Sequence, residues 1–301
     1  MSRHLAHRMD GRELVRDWIS PNTRRAYTRS LEQLSVWLAE RGLDLCDEAV
    51  ADYLTEMFDA GLSPRTGGQV VSAVRFQARL TGAEPAIGPK TRLALSRFAR
   101  MARGRGRGQA QGVQWEEADR IARESARDGL TGLRDAAVVA VMSDGLLRVS
   151  EAAAIEVEHI TPLRRGGATL YVPHSKTDPT GEGRTVYLGP STAAYAERWQ
   201  EAAGLEEGFL FRALYRDIVQ PGGLTARTIT NIVKRRAREC GIDRASGHSL
   251  RVGSAQSLAA GGATLVEMQL AGRWRDPRMP EHYAQAQLAE RGAVARIRYG
   301  G

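Results

Sequence analysis

The chain has 301 residues, among them 43 lysines and arginines against 35 aspartates and glutamates, which gives a formal net charge of +8. This length favours two domains, although one is possible, and the positive charge favours an anionic partner such as nucleic acid. Two cysteines, Cys46 and Cys240, can form neither a disulfide framework nor a CxxC metal site, which indicates a reducing, cytoplasmic setting. The sequence contains no run of roughly 18 apolar residues for a membrane span and no apolar signal peptide at its start.

Residues 22–100 carry apolar side chains at helical spacing, with short turns and no alternation typical of strands. Ser20-Pro21 and Ser63-Pro64 each combine a capping serine with a proline in the first turn, so each predicts the start of a helix. Between them, residues 51–60 predict another helix. This half of the chain therefore predicts a small all-helical bundle.

An arginine- and glycine-rich segment follows at residues 103–108, and its composition is too flexible and too charged to pack into a core. We place the domain boundary there, with an N-terminal domain at 1–108 and a C-terminal domain at 109–301. The segment is either a solvated linker or a linker that also contacts phosphates, and the two interpretations are compatible.

The second half is mainly helical, with one clear strand signal. Residues 168–172 and 184–188 are rich in β-branched and aromatic side chains and flank a turn containing glycine, proline and aspartate. They predict a β-hairpin. The expected fold class is therefore mainly α, with a small β-hairpin in the C-terminal domain.

Four local patterns in this half carry candidate chemistry. Arg148 precedes a helix that Ser150 can cap, which suits an anion but also a structural ion pair. His248 and Arg251 share one helix face at i and i+3, and the cationic neighbour disfavours metal binding by the histidine. Lys176 ends the first hairpin strand, where a solvated turn lysine is the ordinary interpretation.

Trp274 and Tyr283, nine residues apart, complete the set. Alone, the first is typical of a core residue and the second of a half-buried surface tyrosine. Taken in order with the arginines, the lysine and the histidine, they are the parts that a phosphodiester transfer needs. The set resembles the tyrosine recombinase (phage integrase) family, and its Cre branch in particular.

The resemblance is most specific from His248 through Ala255 and from Met268 to Tyr283. Arg148, Glu151 and Lys176 fall where the family has its first arginine, its acidic residue and its hairpin lysine. Many members have histidine at the position of Trp274, whereas the Cre branch has tryptophan. The N-terminal half resembles the family's core-binding domain less specifically.

The resemblance implies a two-domain clamp around duplex DNA that breaks and rejoins strands through a 3′-phosphotyrosyl link, without metal or cofactor. Tyr283 is the expected nucleophile, and Arg148 and Arg251 are expected to bind the phosphate. The remaining expected roles are as follows: His248 receives the tyrosine proton or supports the phosphate, Lys176 protonates the leaving 5′-oxygen, Trp274 donates its indole N–H, and Glu151 orients His248 or Arg148.

The expected partners are double-stranded DNA with inverted-repeat sites and three further copies of the chain, in a tetramer that exchanges strands through a Holliday junction. The candidate DNA contacts are Thr23, Arg24, Arg25, Lys90, Arg92, Arg97, Arg100, Arg103, Arg105 and Arg107. Residues 292–297 predict a short helix that packs either on its own domain or on a neighbouring copy. Two rival functions stay open: a type IB topoisomerase, and a DNA-binding protein without catalytic activity.

Overall fold

The computed structural model describes residues 19–106, 108, 110–173, 182–290, 292 and 297–298. Three of the features predicted above, namely Arg107, Lys176 and most of the helix at 292–297, lie outside these residues. The chain divides into two compact units, Met1–Gly108 and Gln109–Gly301.

The described part of the first unit consists of helices. They are α1 (Pro21–Arg41), α2 (Asp47–Asp59), α3 (Pro64–Thr81) and α4 (Pro89–Met101). The serine–proline pairs start α1 and α3 as predicted, because the Ser20 and Ser63 side chains accept hydrogen bonds from the amides three residues later. The apolar faces of these helices meet in one core, which is built around Leu34, Val50, Leu54, Val70 and Phe98.

Asp47 joins two helices of this bundle. Its carboxylate accepts hydrogen bonds from the backbone amides of Gly88, Lys90 and Thr91, at 2.6 to 3.0 Å, and so caps the N-terminus of α4. Partial desolvation would raise the pKa of Asp47, but the bonds from Thr91, Gly88 and Lys90 lower it to about 2. The carboxylate is therefore charged at neutral pH, as a cap at a helix N-terminus should be.

The second unit is mainly helical with two small antiparallel sheets. Its helices are α5 (Trp115–Ser125), α6 (Gly129–Asp144), α7 (Val149–Ala152), α8 (Pro190–Ala203), α9 (Ala226–Glu239), α10 (Ser249–Ala260), α11 (Leu265–Gly272) and α12 (Arg278–Glu290). Its strands are β1 (Ile160–Pro162), β2 (Ala168–Val172), β3 (Arg184–Leu188), β4 (Arg212–Tyr215) and β5 (Ile218–Gly223). The predicted fold class is confirmed.

The predicted hairpin is the β2–β3 pair, in which Ala168 lies opposite Leu188 and Val172 opposite Arg184. Two features were not predicted from the sequence, namely β1, which pairs with β2, and the separate β4–β5 sheet. Because β2 is buried at alternate positions, it packs one face on the core that surrounds α6.

The buried helix α6 supports α10, on which His248 and Arg251 are carried. Ser254 of α10 donates a hydrogen bond to the carbonyl of Ser143 at the end of α6. On another side of α10, the extended residue Val113 donates its amide to the Ser249 carbonyl at 3.0 Å. A Cβ at Gly253 would lie 1.8 Å from the Val113 carbonyl oxygen, so this close approach requires glycine.

Candidate active site

The candidate residues converge from four places in the second unit. Arg148 and Glu151 lie at α7, His248 and Arg251 at the start of α10, Trp274 just after α11, and Tyr283 on α12. The structure brings these six side chains together through the contacts given below. Lys176 lies outside the described residues, so its distance from them is not defined.

Tyr283 and His248 are in direct contact. The tyrosine hydroxyl lies 3.0 Å from Nε2 of the imidazole, within hydrogen-bonding distance. The Trp274 ring packs against the Tyr283 ring with centroids 5.4 Å apart, and Met279 contacts the same small apolar cluster. These contacts hold the phenol beside the histidine.

The histidine is neutral at physiological pH. Burial, followed by the positive charges of Arg251 and Arg148, lowers the pKa of His248 to about 4. A neutral imidazole whose Nε2 is not protonated can accept a hydrogen bond from the tyrosine hydroxyl and then its proton. The pair therefore has the geometry and the charge state of a nucleophile and its base.

Arg251 is almost fully buried, with 1 % of its surface exposed. Its two terminal nitrogens donate to the backbone carbonyls of Leu146 and Gly272, and its guanidinium carbon lies 4.9 Å from the centroid of the Trp274 ring. Burial, together with the charges of Arg148 and Arg273, lowers the pKa of Arg251 to about 9. Among the described residues, its buried Nε has no hydrogen-bond partner.

Glu151 is a buried carboxylate between two guanidinium groups. Oε1 accepts from Nη1 of Arg148 at 2.5 Å, and Oε2 accepts from the Arg148 amide at 3.0 Å and from Nη2 of Arg273 at 2.9 Å. Burial would raise the pKa of Glu151, but the charges of Arg273 and Arg148 hold it below its usual value. Arg251 also interacts with Glu151 through its charge, so three guanidinium groups share one carboxylate, and the excess positive charge suits an anion such as a phosphate.

Arg273 was missed by the sequence analysis, although it stands next to Trp274. It has only 9 % of its surface exposed and contacts the loop before Arg148 as well as Glu151. Local sequence offers one signal, a long cation inside the stretch that resembles the Cre branch. Its partners Gly145, Leu146 and Glu151 are more than 120 residues away along the chain, so the pattern alone could not assign them.

The candidate DNA-contact residues of the first unit differ in their surroundings. Lys90 pairs with Glu48 at 2.7 Å, and the Thr23 hydroxyl lies 2.9 Å from the capping Ser20 hydroxyl. Arg105 donates to the Phe58 carbonyl at 2.6 Å and lies over the Phe58 ring. The side chains that are exposed to solvent are Arg25, Lys90, Arg92, Arg97, Arg100, Arg103 and Arg105, whereas Thr23 and Arg24 are half-buried.

The part of the chain that the structure describes contains neither a candidate membrane span nor a candidate metal site. Among its residues, no helix is long and apolar enough to cross a membrane. The same residues contain no group of three or more histidine, cysteine, aspartate or glutamate side chains arranged to hold a metal ion.

Comparison with known proteins identifies the family that the chain matches. Residues 113–290 match the model of the phage integrase family. The recombinase Cre of Escherichia phage P1 is 26 % identical over 277 residues, covering 83 % of this chain and 79 % of Cre. The tyrosine recombinase XerD of Caulobacter vibrioides is 30 % identical over 262 residues, covering 82 % of this chain and 80 % of XerD.

Solved structures agree in fold. XerH site-specific recombinase bound to a palindromic difH substrate aligns with a TM-score of 0.69 at 17 % identity, over 91 % of this chain and 79 % of XerH. A lambda integrase dimer bound to a COC′ core site aligns with a TM-score of 0.59 at 16 % identity, over 90 % of this chain and 74 % of that one. Because the family model covers more than half of the chain, the chain belongs to the phage integrase family and is a tyrosine-type site-specific recombinase.

Proposed function

We propose that the chain cleaves and rejoins DNA strands through a covalent 3′-phosphotyrosyl link to Tyr283. The observation that carries this proposal is the 3.0 Å contact between the Tyr283 hydroxyl and the neutral His248 imidazole, beside a surplus of buried guanidinium charge. A phenol has an ordinary pKa near 10, so it needs a base and a positive environment to act as a nucleophile at neutral pH. His248 and the neighbouring arginines would supply both.

The first chemical step exchanges one phosphorus–oxygen bond for another. The Tyr283 oxygen attacks the scissile phosphorus and gives its proton to His248, and the bond from phosphorus to the 5′-oxygen breaks. Lys176 protonates the leaving 5′-oxygen, so that a 5′-hydroxyl and a 3′-phosphotyrosine result. In the reverse direction, a 5′-hydroxyl attacks the phosphotyrosine, and the diester re-forms without ATP.

The arginines stabilise the pentacoordinate phosphorane formed on the way. Arg251 has a buried Nε with no hydrogen-bond partner among the described residues, and Arg148 is held by Glu151 at the rim of the same site. Guanidinium groups donate bidentate, charge-assisted hydrogen bonds to phosphate oxygens, and with a pKa of about 9 Arg251 stays mostly protonated at neutral pH. The indole N–H of Trp274 adds a donor that carries no charge.

Duplex DNA is the substrate that fits the net charge of +8 and the family. We assign core binding of the DNA to residues 1–108 and catalysis to residues 109–301, with the two domains forming a clamp around the duplex. The predicted phosphate contacts are those of the basic residues named in the sequence analysis. The working assembly is a tetramer on two inverted-repeat sites, and strand exchange passes through a Holliday junction. The DNA on which it acts is that of the nucleoid, in the cytoplasm. The structural neighbour XerH is bound to a palindromic substrate, which agrees with inverted-repeat sites.

A nicked suicide substrate tests the nucleophile. The wild-type chain should form a covalent adduct with it, in the presence of EDTA as well. Tyr283→Phe should bind the DNA without forming an adduct, because only one oxygen is lost. Tyr215→Phe, which removes the hydroxyl of an exposed tyrosine, is the matched control and should react normally. An adduct formed by Tyr283→Phe would move the role to another tyrosine, such as Tyr299.

A two-site plasmid separates the proposal from the rival functions. Recombination between the sites supports the recombinase. Relaxation of supercoils without recombination would indicate a type IB topoisomerase. Sequence-specific binding with no adduct on any nicked substrate would indicate a DNA-binding protein without catalytic activity.

A further inference from the structure

Arg273 combines two features that are costly for a protein to keep. Its φ of 53° lies in the left-handed region, which residues other than glycine rarely adopt. Its charged side chain is also buried. Strained conformations persist where surrounding contacts hold them in place. The contacts of the guanidinium therefore indicate what the strain supports.

Three hydrogen bonds of the Arg273 guanidinium reach the segment 145–151, which presents Arg148. Nη1 donates to the Gly145 carbonyl at 2.8 Å, and Nη2 donates to the Leu146 carbonyl at 3.1 Å and to Oε2 of Glu151 at 2.9 Å. Leu146 itself has a φ of 45°, a second left-handed residue without glycine's freedom. One planar guanidinium thus fastens both ends of the segment from residue 145 to residue 151.

Arg148 is attached to the same carboxylate. Glu151 accepts from Arg273 through Oε2 and from Nη1 of Arg148 through Oε1, so the two guanidinium groups share one buried anion. Movement of Glu151 would move Arg148, because the two are joined through the Arg148 amide as well as the side chain. Arg148 is also less buried than Glu151, which leaves it open to an incoming phosphate.

We propose that Arg273 is a positioning residue for the phosphate-binding Arg148, acting through Glu151 and through the carbonyls of Gly145 and Leu146. This inference rests on the proposed function, since it assigns Arg273 to the same reaction. An arginine suits the position because its rigid fork reaches three acceptors at once, which a lysine cannot do. The left-handed backbone points this fork into the 145–151 segment.

The test compares Arg273→Gly with Arg273→Ala. Both remove the guanidinium, but only glycine adopts the left-handed backbone without strain. The rate of adduct formation at saturating suicide substrate should fall by about 10- to 100-fold in both variants, as expected when a reacting group is misplaced by about 1 Å. The melting temperature of the glycine variant should exceed that of the alanine variant by about 2 to 4 °C. Arg275→Gly, which removes an exposed arginine two residues away, is the control for charge and should react at the wild-type rate.

Coupling to Arg148 distinguishes positioning from a general structural role. If Arg273 acts through Arg148, the double variant Arg148→Ala/Arg273→Gly should react no more slowly than Arg148→Ala alone. Arg273→Lys keeps one charged contact with Glu151, so it should fold and should react at a rate between those of the wild type and Arg273→Gly.

Several results would overturn the inference. A wild-type rate for Arg273→Gly or for Arg273→Lys would do so, and so would a double variant in which the two losses multiply in full. These results all presuppose that the wild-type chain forms the adduct. If the wild type forms none, the proposed function fails first, and this inference fails with it.

Discussion

The titration of His248 gives the sharpest check on the proposed chemistry. In the free protein its pKa is about 4, against an ordinary value of 6.5, because of burial and the charges of Arg251 and Arg148. At pH 7 about one molecule in a thousand would then carry the imidazolium form. A pH titration of the histidine ring signals by NMR, with His248→Asn to assign the resonance, should show a midpoint far below 6. A midpoint between 6 and 7 would refute the electrostatic description of the site.

The lowered pKa of His248 also makes the stability of the folded chain depend on pH. Between pH 6.5 and 4 the unfolded chain binds a proton on His248 that the native chain does not bind, so stability falls as the pH falls through this window. From pH 7.5 to pH 4.5 the expected loss is about 2 to 3 kcal/mol. It is measured as the extra loss of unfolding free energy in the wild type relative to His248→Asn. Equal losses in both proteins would contradict the prediction.

DNA binding should raise the pKa of His248 part of the way back to its ordinary value. A phosphate that enters the site places negative charge beside Arg251 and Arg148 and stabilises the imidazolium, so the pKa of His248 rises. The acid limb of the cleavage rate in the complex should therefore lie above pH 4. The variant Tyr283→Phe, which is expected to bind DNA without reacting, allows the same NMR titration on the bound state.

Three further predictions concern Lys176, the arginines of the segment 103–107 and the C-terminal residues 290–301. Lys176→Ala should slow cleavage by about 10²- to 10⁴-fold, the usual effect of removing a positioned general acid, and a substrate with a 5′-bridging sulfur should restore most of the rate; equal impairment on both substrates would make Lys176 a phosphate ligand instead. Replacing Arg103, Arg105 and Arg107 by glutamine should reduce the salt dependence of DNA binding by roughly 0.9 in the log–log slope for each residue that contacts a phosphate, whereas an unchanged slope would indicate a solvated linker. Deleting residues 290–301 should leave half-site binding nearly intact and abolish cooperative assembly and recombination, because a helix this short needs a surface to dock on; loss of folding or of half-site binding would show that the tail packs on its own domain.

Sequence alone predicted the parts of the fold whose signals are local. The serine–proline pairs that start α1 and α3 carry both the cap and the first-turn residue, and the β2–β3 hairpin has alternating burial with strand-forming side chains. The start of α2 was placed too late. Its cap is Cys46, an unusual capping residue, and the following Asp47 serves α4 rather than its own helix.

The β4–β5 sheet escaped prediction for a specific reason. Its turn is made by Arg216 and Asp217, both with positive φ, where a two-residue hairpin usually has asparagine or glycine. The second strand contains Pro221 followed by two glycines, a composition that argues against a strand. Ala213, Leu214 and Val219 nevertheless pack against the core of the second unit, so the sheet forms despite these local preferences.

The candidate site divides in the same way. Tyr283, His248 and Arg251 were predictable because a family pattern marks them, and the structure brings them together. Arg273 has no such pattern, and it depends on acceptors that only the folded chain provides. The sequence does not show which side chains are buried. Burial is what makes a strongly polarised site out of four charged side chains, namely those of Arg148, Glu151, Arg251 and Arg273.

Burial also links the charges to the reaction. Arg148, Arg251 and Arg273 repel one another around Glu151, so the free site is held in an electrostatically unfavourable state by the fold. A phosphodiester relieves part of that repulsion, and the phosphorane relieves more because its non-bridging oxygens carry more negative charge. On the proposed mechanism, the attraction therefore grows along the reaction coordinate, and this increase lowers the barrier instead of only tightening substrate binding. On the same proposed mechanism, a base that is held neutral in the free protein fits, because the charge that His248 gains on accepting the Tyr283 proton is stabilised once the phosphate is in place.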